Sequence, residues 1–181
     1  MSIDPAIAFL VIACAALLFA ASAIHKLRDL RRFDEIFAAY GLLPLPASLR
    51  LSRAVPLVEA AVAAGLLFDA IRNVCAYVGI TLLLAYAGAI ALNLVRGRRD
   101  LACGCGGPDD RRPIAPWMVG RNILIAALLV VPTLPWSPRP LVLTDGVTIG
   151  FGTATCALIY LCLDRLLGRM GRLFAELRMS A

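Results

Sequence analysis

The sequence predicts an all-α protein: a polytopic transmembrane helical bundle of five spanning helices, or four if the second does not span, with one interfacial amphipathic helix. Three observations lead there. Of the 181 residues, 61% are hydrophobic and 17% charged, and the mean hydropathy is +0.84, far outside the range of globular domains. Five apolar stretches, residues 6–24, 51–68, 74–95, 117–134 and 147–167, reach or approach the roughly 20 helical residues that a bilayer core requires. The cationic residues fall almost wholly on one side of that arrangement. With no internal repeat and no separate soluble stretch, residues 1–181 read as a single integral membrane domain.

The first span follows Met-Ser-Ile-Asp-Pro, which carries an acid and no Lys or Arg. Ala21-Ser22-Ala23 has the small-x-small look of a processing site, but the basic leader of a signal peptide is missing, so the helix reads as a retained anchor. Beyond it, Leu27, Leu30, Phe33, Phe37 and Tyr40 recur at steps of three and four, an apolar stripe with basic residues beside it. This segment should lie along the membrane surface until Gly41 and Pro44 end it. Pro56 and Glu59 interrupt the second span, which makes it the weakest of the five. Asp69 and Asn73 suit a turn before the third. Trp117 and Trp136 bracket the fourth, about 28 Å apart along a helix axis, as an aromatic belt would. The proline-rich VPTLPWSPRPLVLTDG then suits an irregular loop before the fifth. Ala and Gly are frequent along the spans, as close helix packing in lipid requires.

Lys26, Arg28, Arg31, Arg32, Arg50 and Arg53 follow the first span; Arg96, Arg98, Arg99, Arg111, Arg112 and Arg121 surround the exit of the third; Arg165, Arg169, Arg172 and Arg178 close the fifth. Those sixteen face only Arg72 and Arg139 on the other side. A missing or extra span would destroy this asymmetry, and the positive-inside rule puts the N-terminus outside and the C-terminus in the cytoplasm. The net charge of +6 is therefore topology and attraction to the anionic lipid of the bilayer, with no nucleic-acid partner implied.

Cys103 and Cys105 stand in the polar stretch DLACGCGGPDDRRP between the third and fourth spans. Gly104, Gly106 and Gly107 allow backbone angles that let a C-G-C turn bring its α-carbons within disulfide reach, and the nearby arginines favour the nucleophilic thiolate. The pair reads as a redox dithiol. Two other readings stay open: a glycine-rich turn that merely carries two cysteines, and a soft-metal site. No His or third Cys is present in the loop, so structural zinc would lack half its ligands and no metal is assigned. Cys14, Cys75, Cys156 and Cys162 lie on spans and read as packing residues, although Cys14 and Cys156 fall at similar depth, about 12 and 14 Å from the outer ends of their helices, and so could meet.

Two further candidates are polar. Glu59 is an acid in an apolar run, expensive in lipid and hence either functional or paired across helices, for instance with Arg121 or Asn122. His25, the only histidine, ends the first span on the side of the C-G-C loop; it reads as a proton acceptor for a thiol or as a snorkelling cap beside Lys26.

The segments ASAIHKLRDLRRFDEIFAAYGLLP, CGCGG and RPIAPWMVGRNILIAALL together resemble the methylamine utilisation protein MauE family, itself similar to DoxX-type membrane proteins. The resemblance covers roughly residues 15 to 130 and is most specific at the C-G-C loop and the Arg121-Asn122 pair. It implies a multi-pass protein of the bacterial inner membrane that helps to mature methylamine dehydrogenase, whose small subunit carries several disulfides and a tryptophan-derived quinone. It also implies a thioredoxin-like partner and an exported client, with Cys103 and Cys105 as the redox pair. No role comes from it for His25, Glu59 or Arg121.

The function expected is thiol-disulfide exchange or cofactor maturation serving an exported enzyme. Whether the chain is itself an enzyme is open, and its residues require no cofactor of its own, with a quinone compatible. A small transporter or soft-metal carrier, and a quinone-associated electron-transfer subunit, are the alternatives. One tension stands: the client matures outside, whereas the charge count puts Cys103 and Cys105 inside. Either electrons cross the bundle or the loop folds back into it.

Overall fold

A computed structural model describes residues 3–104, 113–137 and 139–179, with side chains as far as residue 167. Cys105, Gly106, Gly107, Arg111 and Arg112 lie outside the described residues, as do the side chains of Arg169, Arg172 and Arg178. Among the described residues six α-helices follow in order: α1 (Pro5–Arg28), α2 (Leu30–Ala39), α3 (Leu45–Gly65), α4 (Arg72–Val95), α5 (Pro116–Leu128) and α6 (Leu143–Met179), with a 3-10 turn, Val131–Thr133, after α5. No strand occurs among the described residues. The protein is an all-α, multi-pass membrane bundle, and α1, α4, the α5 segment and α6 are long and apolar enough to cross a bilayer.

Local chemistry explains the helix ends. Asp4 caps α1, its carboxylate accepting from the Ala6 N–H at 2.8 Å, with Pro5 in the first turn. His25, Lys26 and Arg28 occupy the last turn of α1, where cations oppose the helix dipole. Asp29 then ends α1 and caps α2, accepting from the Arg32 N–H at 3.1 Å. Tyr40 and Gly41 end α2, and Gly41 adopts φ 62°, a left-handed angle that side chains resist. At the end of α4, Gly97 takes φ 76° while Arg98 N–H reaches back to the Asn93 carbonyl at 3.0 Å and Gly97 N–H to Leu94 at 3.1 Å, the pair of bonds that defines a Schellman stop.

The helix α3 covers the doubtful second span and is not among the four helices long and apolar enough to cross a bilayer. It begins six residues before the predicted stretch and carries Arg50, Arg53 and Glu59, so it lacks the apolar composition of the other four. Its 21 residues nevertheless reach about 31 Å, and they traverse the bundle. Near its start, Ser52 bonds Asp34 of α2. Just past its end, the Leu66 carbonyl accepts from Arg72 Nε at 3.1 Å, and the Arg72 guanidinium lies over Phe9 of α1 at 5.3 Å and over Trp136 at 5.0 Å. Ile12, Phe19, Val62, Leu66, Ala76, Leu83 and Leu129 form the main core at that end and along the middle. Outward, Leu57, Leu84, Leu124, Phe151 and Leu158 are exposed, as expected of a lipid-facing surface.

Arg72 and Arg139, the two cations set apart by the charge count, occupy the same end of the molecule. Arg139 Nη2 contacts Asp4 Oδ1 at 2.8 Å and Nη1 contacts Asp145 Oδ2 at 2.7 Å, tying the starts of α1 and α6 together. The two tryptophans do more than mark a belt: Trp136 closes over Phe9 and Arg72, and Trp117 lies under Arg121 at 5.4 Å. The amphipathic α2 is partly embedded, with Phe33 and Asp34 buried.

The Arg139 hydrogen bonds, followed by that from Ala6, hold the Asp4 carboxyl below its ordinary 3.8. A folded value below the unfolded one means that this contact stabilises fully above the ordinary value and fades as the pH falls through the lowered one. Acidifying detergent-solubilised protein below about pH 4 should therefore lower the thermal midpoint more for the wild type than for Asp4→Asn. Parallel acid curves for the two would remove the contact from the account of stability.

Candidate functional site

The base of the C-G-C loop is pinned to the end of the bundle opposite Arg72 and Arg139. Ile114 N–H donates to the Leu101 carbonyl at 2.9 Å, and Ala102 pairs with Pro113 in an isolated antiparallel bridge. Cys103 packs, half-buried, against a second cluster formed by Tyr40, Ile90, Ile114 and Met118. The Tyr40 hydroxyl donates to the Cys103 carbonyl at 3.2 Å, and burial pushes that phenol up to about 12, so it remains a donor at neutral pH. Gly104 has φ 64°, and an added Cβ would lie 2.9 Å from Ile36 Cγ2. Only glycine lets the backbone cross this closely over α2 at that angle.

Cys103 is disulfide-bonded, whereas Cys14, Cys75, Cys156 and Cys162 are free thiols. The second member of the predicted pair, Cys105, lies outside the described residues. Of the arginines read as thiolate activators, Arg98 is engaged at the helix ends. Arg98 donates to the Ala39 and Tyr40 carbonyls at 2.8 and 3.1 Å and to Asn93 Oδ1 at 3.3 Å, clamping the end of α2 to the end of α4.

Beneath α2 lies a buried polar cluster. Glu59 Oε1 accepts from Lys26 Nζ at 2.5 Å, Tyr86 Oη at 2.7 Å and Ser22 Oγ at 3.1 Å. Lys26 and Glu59 expose only 4% and 1% of their side chains. The encounter follows from helix direction: side chains lean toward the N-terminus of their own helix, and α1 and α3 run antiparallel, so the two long side chains converge from opposite ends. The Lys26 ammonium lies 5.1 Å from the Phe33 ring centroid and 4.8 Å from that of Tyr86. Phe33 is thus shared: one neighbour is this ion pair, and another is Gly104, whose added Cβ would come 3.5 Å from Phe33 Cε2. One ring separates the cysteine loop from the buried charges. Glu59 Oε2 is buried and has no hydrogen-bond partner among the described residues.

Glu59 therefore pairs with α1 and α4, and the expected partners Arg121 and Asn122 are elsewhere. Arg121 bonds Asp164 of α6 at 3.0 Å, and the buried Asn122 leaves Nδ2 without a partner among the described residues. His25 is half-buried and makes no hydrogen bond or ion pair among the described residues; its neighbour Lys26 is the side chain that turns inward. Lys26 was legible only as one cation among many. Cys75 packs against Gly65, whose missing side chain leaves room for the sulfur, a structural placement. Among the described residues, no three His, Cys, Asp or Glu side chains are grouped to hold a metal.

The family described as Methylamine utilisation protein MauE matches residues 3–135. The chain is 38% identical over 147 residues to "Methylamine utilization protein MauE" of Paracoccus denitrificans, covering 81% of this chain and 79% of that one. It is 30% identical over 171 residues to the protein of that name from Methylophilus methylotrophus, covering 91% and 88%. A third, from Methylorubrum extorquens, is 31% identical over 163 residues, covering 87% and 86%. No solved structure matches.

Proposed function

Since this chain belongs to the MauE family of methylamine utilisation proteins, we propose that it is an inner-membrane thiol-disulfide protein that matures an exported enzyme of methylamine use, the small subunit of methylamine dehydrogenase being the client in view. Cys103 and Cys105 are its redox pair. The observation that carries this reading is the disulfide at Cys103, held on a loop clamped by Tyr40 and by the crossing at Gly104. A partner's thiolate attacks one sulfur of the pair, and a mixed disulfide forms as the other sulfur leaves as thiolate. The partner's second thiolate then displaces the first, which leaves the partner oxidised and the pair as a dithiol. Running in reverse, the dithiol reduces a partner's disulfide. A thioredoxin-like protein suits this exchange because it presents two thiols in one exposed turn.

In this reading the arginine-rich end faces the cytoplasm, and the pair meets its partner there. Glu59, with Lys26 and Tyr86, acts as a positioning group that fixes Phe33 and hence the floor under Gly104. His25 is the residue on that side available to take the proton of a released thiol.

Labelling tests the arrangement. In spheroplasts carrying a variant whose other four cysteines are replaced, a membrane-impermeant thiol reagent should reach Cys103 and Cys105 only after the membrane is opened and the disulfide reduced. Labelling of intact spheroplasts after reduction would reverse the orientation. Labelling in opened membranes without any reduction would remove the resting disulfide and with it the reading.

A further inference from the structure

The helix α6 touches the rest of the bundle thinly, and its membrane-crossing window contains no buried residue. Apart from the Arg121–Asp164 bond to α5, what holds it is α1, against which it runs in parallel. Arg139 joins Asp4 and Asp145 at the starts of the two helices. Further along, Gly152 faces Leu10 so closely that an added Cβ would lie 2.9 Å from Leu10 Cδ1. Four residues on in each helix, one turn deeper on the same face, come Cys14 and Cys156. The two thiols are near neighbours, and the Thr153 hydroxyl, which donates to the Ile149 carbonyl, adjoins Cys14. Both are free thiols. Cys14 is about 14 Å along the axis from Pro5, and Cys156 about 16 Å from Asp145.

We propose that Cys14 and Cys156 form a second redox-active dithiol, one that a lipid-soluble two-electron oxidant of the quinone class converts to a disulfide joining α1 to α6. Three features specify this chemistry. Cys14 and Cys156 are neighbours one turn beyond a contact that Gly152 allows to be close, so the two helices already meet beside the place where the disulfide would form. Their depth excludes attack by the disulfide of a soluble protein, which cannot enter hydrocarbon. Cys156 is exposed on the outer surface of α6, where a molecule dissolved in the bilayer arrives. The step balances: the two thiols give up two protons and two electrons as the S–S bond forms, and the quinone takes up both to become a quinol.

The inference does not depend on the role of Cys103 and Cys105, and its test removes them. Full-length protein carrying Cys103→Ser and Cys105→Ser is reconstituted in phosphatidylcholine vesicles, reduced, freed of reductant and exposed to tetramethylbenzoquinone, whose substituted ring resists addition by thiols. The sample is denatured in alkylating reagent and digested, and the peptides are mapped by mass. A peptide pair linked through Cys14 and Cys156, with about one quinol formed per chain and none after further Cys14→Ser substitution, is the expected result. If both cysteines are alkylated as free thiols after excess quinone, or if quinol forms equally in the Cys14→Ser variant, the proposal fails.

Discussion

Cells in which Cys103 or Cys105 is replaced by serine should produce the exported client without active enzyme, at the level of cells that lack this protein altogether. Serine supplies no sulfur, so the mixed disulfide on which exchange depends cannot be resolved or cannot form. Loss of the fold would be the competing explanation, and the structure argues against it. The loop base is held by the Leu101–Ile114 bond, the Ala102–Pro113 bridge and the Tyr40 hydroxyl on the Cys103 carbonyl. None of these involves sulfur. Both variants should accumulate in the membrane at wild-type abundance on immunoblots, while client activity and correctly paired client disulfides disappear. Normal maturation in the double variant would sink the thiol-disulfide function.

How far the sequence reaches depends on the kind of information each feature requires. Spans and their connectivity follow from hydropathy and from the charge asymmetry, and the two outlying arginines, Arg72 and Arg139, do share one end of the bundle. The stripe from Leu27 to Tyr40 marks a helix that ends at Gly41. That Cys14 and Cys156 are neighbours is foreshadowed by equal depth, because two helices entering from the same side advance by the same rise per residue. What escapes is pairing between side chains on different helices. Glu59 stands out as a costly acid, but which of many cations answers it depends on helix rotation and on the direction in which long side chains lean. Those choose Lys26 over Arg121. Arg98 escapes for the same reason: its sequence neighbourhood suggests thiolate chemistry, and its reach takes it to the open carbonyls at the end of α2. Ser22, which in sequence is only the middle of a small-x-small triplet on a retained anchor, is a donor to Glu59.

The buried ion pair sets up the second large effect. Lys26→Met keeps the apolar stem but takes away the ammonium 2.5 Å from Glu59 Oε1. It leaves a carboxylate 1% exposed, supported by Tyr86 and Ser22 on one oxygen and by nothing among the described residues on the other. Breaking a buried pair from one side costs about 3–5 kcal/mol, chiefly through the charge that remains. Denaturant titration of the solubilised protein should show a loss of that size. Lys26→Met combined with Glu59→Gln removes the stranded charge and keeps an acceptor for Tyr86, so most of the loss should be recovered. A Lys26→Met variant as stable as the wild type would mean that the pair is not formed. The double variant also separates two roles that the single ones confuse. If Glu59 serves only to hold Phe33 under the loop, client maturation returns together with stability; if its charge takes part in moving protons during exchange, stability returns and maturation does not.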